Sequence, residues 1–273
     1  MYFCKQNKNR NKNMKTTLKI STLLVTFASV FTFSSCLDSN DGGSTYPAYA
    51  SYVTITGDQF MDYTFHSDFG CTLRPTSASV QEVLPGLGNS KVKRAYVAFD
   101  LASETENGKN LEVGKIYDII LRQSYYANYA IPTYNTIKLT AASDSLITKN
   151  KSVQSIDEKN IWASNGYVNA LITINYQQNK TFSMNTYYSE EDIDVANNTL
   201  NLNLYYNSNS ESQNAQGQSV FSFRLPEEVI YNNHFSTDSI TLVLNAISGY
   251  DNSQLNKVGE CKVAMKDFSE PMF

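Results

Sequence analysis

The sequence predicts an all-β fold, as sandwich or barrel. Three observations lead there. Many short runs rich in Val, Ile, Thr, Tyr and Phe alternate apolar and polar residues, the period of two that a half-buried strand needs. Clusters of Gly, Asn, Asp and Pro separate these runs, as turns require. No amphipathic helix longer than about two turns stands out.

The chain opens with a segment of another kind. From Met14 it carries Lys15 and Lys19, an apolar run from Ile20 to Phe33, two small residues and Cys36. That order is a secretory signal. The apolar run spans about fourteen residues, short of the ~20 that cross a bilayer. Phe33-Ser34-Ser35-Cys36 resembles a lipobox, so the expected mature chain begins at an acylated Cys36. Two or more acyl chains hold a protein on a membrane stably, whereas one does so marginally. Residues 1–35 are thus read as the signal peptide, with Met14 as its true start. Residues 36–50 are polar and Gly/Ser-rich and form a lipidated tether.

Strands follow. Tyr52–Thr56 and Phe60–Phe65 flank Gly57-Asp58 and read as a hairpin. Phe69–Pro75 is a third short strand, stopped by its proline. In the next strand Ala95, Val97, Phe99 and Leu101 face one way, Arg94 and Asp100 the other. Tyr117–Leu121 follows a turn at Gly114, and Thr136–Thr140 closes this half. Between them lies a loop dense in tyrosine: Tyr125, Tyr126, Tyr129 and Tyr134. Residues 141–160 are polar, lose the period and read as a linker. The second half resumes at Trp162. Its strands are Gly166–Tyr176, Thr181–Tyr188, Thr199–Tyr206, Ser219–Leu225, Ser239–Ala246 and Gly259–Met265, with a polar loop at 207–218. The expected domains are 51–145 and 150–273.

Charge narrows the partners. The chain has 22 basic and 26 acidic residues. Residues 1–35 hold six of the bases and no acid, so the mature part is acidic by ten charges. Such a surface repels phosphate backbones, and nucleic acid is not expected. Cys71 and Cys261 are either a disulfide or two buried thiols.

Chemistry is sparse. His66 and His234 lack ligand spacing, so no metal is expected, and no cofactor motif is present. Glu190, Glu191, Asp192 and Asp194 lack the spacing of a calcium loop and read as a solvated charge run. Nothing resembles a nucleophile elbow or phosphate loop. The one excess is tyrosine, nineteen in all. It serves either sheet packing or, at Tyr125–Tyr134, a platform on which sugar rings stack.

Several segments together resemble the NigD-like lipoproteins of Bacteroidetes. Asp38 and Asp41 follow the lipobox cysteine. Asp68-Phe69-Gly70-Cys71-Thr72-Leu73-Arg74-Pro75 is similar to the family's D-x-G-x-x-L-x-P strand. Ser143–Thr148 resembles its junction, and Ile161-Trp162 with Gly166-Tyr167-Val168-Asn169 its tryptophan and Y-L-N strand. The chain departs from the family at Phe182-Ser183 and Tyr205-Tyr206-Asn207, where members carry histidine or an Arg-His pair. The resemblance implies an N-terminal OB-type barrel, a C-terminal β-sandwich and an outer-membrane address; the family has no established activity, so it adds no chemistry. Acids after the lipidated cysteine are similar to a surface-export signal, which favours the cell surface over the periplasmic face. Asp144-Ser145-Leu146 and Asp238-Ser239-Ile240 resemble the O-glycosylation motif of exported Bacteroidetes proteins, with Ser145 and Ser239 as acceptors.

The expected function is a non-enzymatic binding or accessory module on the outer membrane. The alternatives are a glycan-binding component of a surface polysaccharide system, which a tyrosine-lined open face would favour, and a structural or pilus-associated lipoprotein. An enzyme would need converging carboxylates in a pocket.

Overall fold

In the computed structural model the described residues are 47–57, 63–84, 92–124, 127–140, 149–231, 235, 237–249 and 254–265. The first half is a closed barrel. Its strands are β1 (Tyr49–Thr56), β2 (Thr64–Ser67), β3 (Thr72–Pro75), β4 (Arg94–Leu101) and β5 (Ile116–Leu121). β1, β2 and β3 pair antiparallel, β3 pairs β5 in parallel, β5 pairs β4, and β4 returns to β1. Closure leaves these five strands without an open edge. A short helix α1 (Ser77–Val83) lies between the third and fourth strands, as in an OB-type barrel. Thr76 caps it, its hydroxyl accepting from the Ser79 N–H.

Alternation sends one residue in two inward. Val53, Ile55, Phe65, Leu73, Val97, Phe99, Ile119 and Leu121 fill the barrel. Ala95 and Leu101 join Val97 and Phe99 on the buried side of β4, the face the sequence marks. The opposite face of β4 departs from expectation. Arg94, read as solvent-facing, is 0% exposed because the second half covers it.

A two-residue strand β6 (Tyr129–Ala130) extends the barrel beside β4. The chain then crosses at Pro132. β7 (Thr133–Tyr134) and β8 (Thr136–Lys138) each join a different sheet of the second half. Thr136–Thr140 therefore does not close the first half. Its β8 portion pairs in parallel with a strand of the second, and the 51–145 reading places these residues with the barrel.

The second half has β9 (Ser155–Ser164), β10 (Tyr167–Tyr176), β11 (Ser183–Tyr188), β12 (Ile193–Asp194), β13 (Thr199–Asn207), β14 (Ala215–Arg224), helix α2 (Glu227–Tyr231), β15 (Ser239–Ala246) and β16 (Asn256–Ala264). One sheet runs β7-β14-β10-β9; the other runs β16-β15-β13-β11-β8, with β12 beside β13. Facing residues Val168, Ala170, Ile172 and Ile174 meet Leu200, Leu202, Leu204, Ile240, Leu242 and Leu244 in one core. This is a β-sandwich. Residues 155–160, read as linker, are the first half of β9. Ser155 and Ile156 pair with Thr173 and Ile172 of β10, and residues 157–160 form an irregularity in the register before pairing resumes at Ile161, so the strand overrides their polar composition.

The β9–β10 hairpin turns on Asn165-Gly166, both at positive φ (50° and 78°). A two-residue turn of that hand matches the twist of the strands, and Asn with Gly suits it. Cys71 and Cys261 are free thiols, one in the β2–β3 turn and the other on β16. The described residues of barrel and sandwich lie within one compact unit.

Candidate functional site

Of the four tyrosines of the predicted platform, the two that are described, Tyr129 and Tyr134, separate. Tyr125, Tyr126, Cys36 and Ser145 lie outside the described residues. Tyr134, on β7, packs its ring against Phe221 and Phe223 at 6.2 and 6.0 Å and belongs to the sandwich. Tyr129, on β6, belongs to the barrel and is 42% exposed. Ser239 opens β15 and is exposed, with the Thr237 hydroxyl donating to its carbonyl at 2.8 Å. The acids near residue 190 have local structural tasks. Asp192 caps its own turn by accepting from Ser189, and Asp194 accepts from Asn197. Among the histidines, the His66 ring meets the Thr56 hydroxyl at 3.1 Å, and His234 lies outside the described residues.

Tyr129 takes part in an aromatic row across three strands. Tyr52 on β1 is the register partner of Tyr96 on β4, and Tyr96 is the partner of Tyr129 on β6. Directly opposed residues project to the same face, so pairing alone lines the rings up. The centroids are 4.6 Å apart for Tyr52–Tyr96 and 5.7 Å for Tyr96–Tyr129, tilted by 45° and 43°. Trp162 of the sandwich extends the row, 5.1 Å from Tyr52. The row thus forms an aromatic corner where the two halves meet.

Asn128 holds the exposed end of the row. It adopts a positive φ of 67°, which Asn tolerates better than most residues. Its N–H donates to the Tyr96 carbonyl at 2.6 Å, and its side-chain amide donates to the Arg122 carbonyl at 2.6 Å. Tyr129 is therefore presented by a fixed turn.

Burial raises the pKa of all three hydroxyls and so disfavours their ionisation. Tyr52 is pushed well above the usual tyrosine range, chiefly by burial, then by neighbouring Tyr129 and Tyr96. Tyr96 rises through burial and then Tyr129, and Tyr129 rises through burial. At neutral pH each is a phenol able to donate and accept, beside a ring face that can stack.

Beneath the corner lies a buried polar cluster. Asp68 binds Arg94 through both carboxylate oxygens at 2.8 and 2.6 Å. The Trp162 indole N–H donates to Asp68 Oδ2 at 2.7 Å, and the Asn165 side-chain amide donates to Oδ1 at 3.3 Å. Arg94 also donates to Thr54 at 2.7 Å and to Ser222 at 3.2 Å, and lies 5.3 Å above the Tyr167 ring. The Ser222 hydroxyl in turn donates a hydrogen bond to Asn169 Oδ1 at 2.6 Å. Barrel residues 54, 68 and 94 thereby engage sandwich residues 162, 165, 167 and 222. A buried charge pair with its remaining donors satisfied is a structural joint as much as a reactive centre. It fixes Trp162 and so fixes one wall of the corner. Sequence reasoning singled out Trp162 and Asp68 only as resemblance; the pairing of Tyr52 with Tyr96 was open to inspection once strand register was known.

Residues 135–257 match the family described as NigD-like C-terminal beta sandwich domain. Among curated proteins none matches. Among solved structures, a putative toxin-related protein from Parabacteroides distasonis is 18% identical with a TM-score of 0.55, covering 81% of this chain and 95% of that one. A protein of unknown function from Bacteroides vulgatus is 18% identical, with a TM-score of 0.51 and coverage of 76% and 88%. A NigD-like immunity protein from Bacteroides caccae is 14% identical, with a TM-score of 0.50 and coverage of 77% and 90%. At such identities the likeness establishes the fold.

Proposed function

The chain is NigD-like through its C-terminal β-sandwich domain, and from that premise we propose that it is a non-enzymatic, lipid-anchored binding module of the outer membrane. The observation that carries the reading is the aromatic corner of Tyr52, Tyr96, Tyr129 and Trp162, held by strand register and by the buried Asp68–Arg94 pair. Rigid rings with polar tips are suited to contact a ligand at little entropic cost. The anchor rests on the signal order ending at Cys36. Display on the cell surface rests on Asp38 and Asp41, and glycosylation at Ser239 on its exposed place at the start of β15.

A glycan is the ligand class the corner favours. Sugar rings present apolar C–H faces that stack on aromatic rings, while hydroxyls meet the phenols. The test is a glycan-array screen followed by titration of any hit, read through the fluorescence of Trp162, the one tryptophan. Removing one stacked ring, as in Tyr129→Ala, should weaken binding about 3- to 10-fold. A ligand whose affinity Tyr129→Ala and Tyr96→Ala both leave unchanged binds elsewhere and ends the reading.

A further inference from the structure

We propose that the end of the barrel at which β1 begins rests on a phospholipid surface through Phe69, Val113 and Ile116. The inference deepens the anchoring reading and depends on it.

Three of the most exposed large apolar side chains among the described residues gather there. Phe69 is 40% exposed, Ile116 59% and Val113 71%. The topology brings them to one end. Asp68 donates its N–H to the Tyr52 carbonyl, so the β2–β3 turn leaves β1 within its first half. Ile116 is the register partner of Thr72, so β5 and β3 begin at that end too. Tyr49 pairs with Phe99, which puts the close of β4 and the connection to β5 there as well.

The patch is rigid. Gly114 donates to the Gly70 carbonyl at 2.8 Å, and Thr72 donates to the Lys115 carbonyl at 2.9 Å. These bonds staple the turn carrying Phe69 to the loop carrying Val113. Gly70 allows the close approach: a Cβ there would lie 3.1 Å from a Val113 methyl. Apolar side chains pinned outward in this way keep 40–71% of their surface exposed within the described fold.

Chain length identifies the occupant. β1 starts at Tyr49, and ten residues, 37–46, separate Cys36 from Pro47. Fully extended, that stretch reaches about 35–40 Å. An acylated Cys36 therefore ties the end where β1 begins to the bilayer by a leash of at most about 40 Å, and that end is where the leash enters the barrel. Its charges are mixed, Lys109 and Lys115 with Glu104, Glu106 and Glu112. With no basic excess, the contact is apolar and does not call for anionic lipid.

The test uses the natively acylated protein on phosphatidylcholine vesicles. A Val113→Cys variant carries an environment-sensitive dye, and a Gln81→Cys variant carries it on α1, which follows the far end of β3. Dye emission at 113 should rise about twofold on vesicles and be quenched by spin-labelled lipid, with neither effect at 81. Adding Phe69→Ser and Ile116→Ser should abolish the response at 113 while the protein stays membrane-bound. An acylated protein with no response at 113, or equal responses at both positions, overturns the inference. A response at 113 that grows with protein concentration without vesicles assigns the patch to a second copy and also overturns it. A membrane fraction whose Cys36 carries no lipid by mass overturns the anchoring reading itself, and this inference with it.

Discussion

The indole N–H of Trp162, in the sandwich, donates to the carboxylate of Asp68, in the barrel, at 2.7 Å. That one carboxylate also holds the buried guanidinium of Arg94. The barrel's own ion pair is therefore completed by hydrogen bonds from the sandwich. Asp68→Asn leaves Arg94 buried with its charge unpaired, and breaking a buried pair from one side costs about 3–5 kcal/mol. Trp162→Phe keeps the ring contact with Tyr52 and loses one bond to a charged acceptor, about 1.5–3 kcal/mol. Urea denaturation should rank the two in that order. Combining Asp68→Leu with Arg94→Met should cost less than the sum of the single changes, because the second removes the charge the first orphans.

The same joint predicts how the chain unfolds. Trp162 reports on the junction, while far-UV circular dichroism reports on all strands. In the wild-type chain the two signals should change together. In Asp68→Asn the junction signal should move to lower denaturant than the circular dichroism. Coincident transitions in the variant would show that the halves are coupled by something other than this cluster.

Much of this was legible in the sequence because alternation is a local property. Ala95, Val97, Phe99 and Leu101 announce their buried face without any partner being known. The turn at Asn165-Gly166 is an equally local hairpin signal, which the reading of 141–160 as linker and of Gly166 as the start of a strand passes over. What stayed hidden depends on tertiary pairing. Arg94 occupies the polar phase of β4 and reads as solvated until Asp68, Ser222 and Tyr167 enclose it. Tyr52 and Tyr129 lie far apart in sequence and meet only because β4 stands between their strands. Tyrosine density in the 125–134 loop pointed to a platform, yet Tyr134 turned to Phe221 and Phe223 once β7 joined β14.

Gly70 offers a test of the staple at the end of the barrel. Its φ is +96°, a conformation L side chains rarely adopt, and a methyl would press on Val113. Gly70→Ala should destabilise by about 1–3 kcal/mol, with hydrogen exchange rising first at the amides of Gly114 and Thr72. Val113→Ala in the same background relieves the contact and leaves the backbone strain, so it should restore only part of the loss.

The two thiols should be slow to react. Burial raises the Cys71 thiol, and burial followed by Glu260 pushes Cys261 up to about 12. The thiolate is the nucleophile. Native protein at pH 8 should take up iodoacetamide far more slowly than the urea-unfolded chain, at both positions. Fast labelling of Cys261 alone would mean that β16 detaches readily from β15.

Alkaline pH should unfold the protein, and the sign follows from which state ionises first. Tyr206 is buried and pushed up to about 12 from 10.0, and Cys261 to about 12 from 9.0, while burial also raises Tyr52 and Tyr188. Below about pH 9 both folded and unfolded chains keep these protons, so the groups add no slope. Between pH 9 and 12 the unfolded chain gives up protons that the folded chain retains. Stability therefore falls as pH rises through that window. Tyr206 alone, moved from 10.0 to about 12, contributes at most about 3 kcal/mol to the fall. The melting temperature should be flat from pH 6 to about 8.5 and drop from pH 9 to 11. Tyr206→Phe isolates the cause. Its hydroxyl donates to the Asn175 carbonyl at 2.6 Å, so the variant should lose about 1 kcal/mol at pH 7. Phenylalanine cannot ionise, so the same variant should lose less than wild type between pH 9 and 11. Parallel curves for the two proteins across that window would mean that the Tyr206 hydroxyl does not set the alkaline limb.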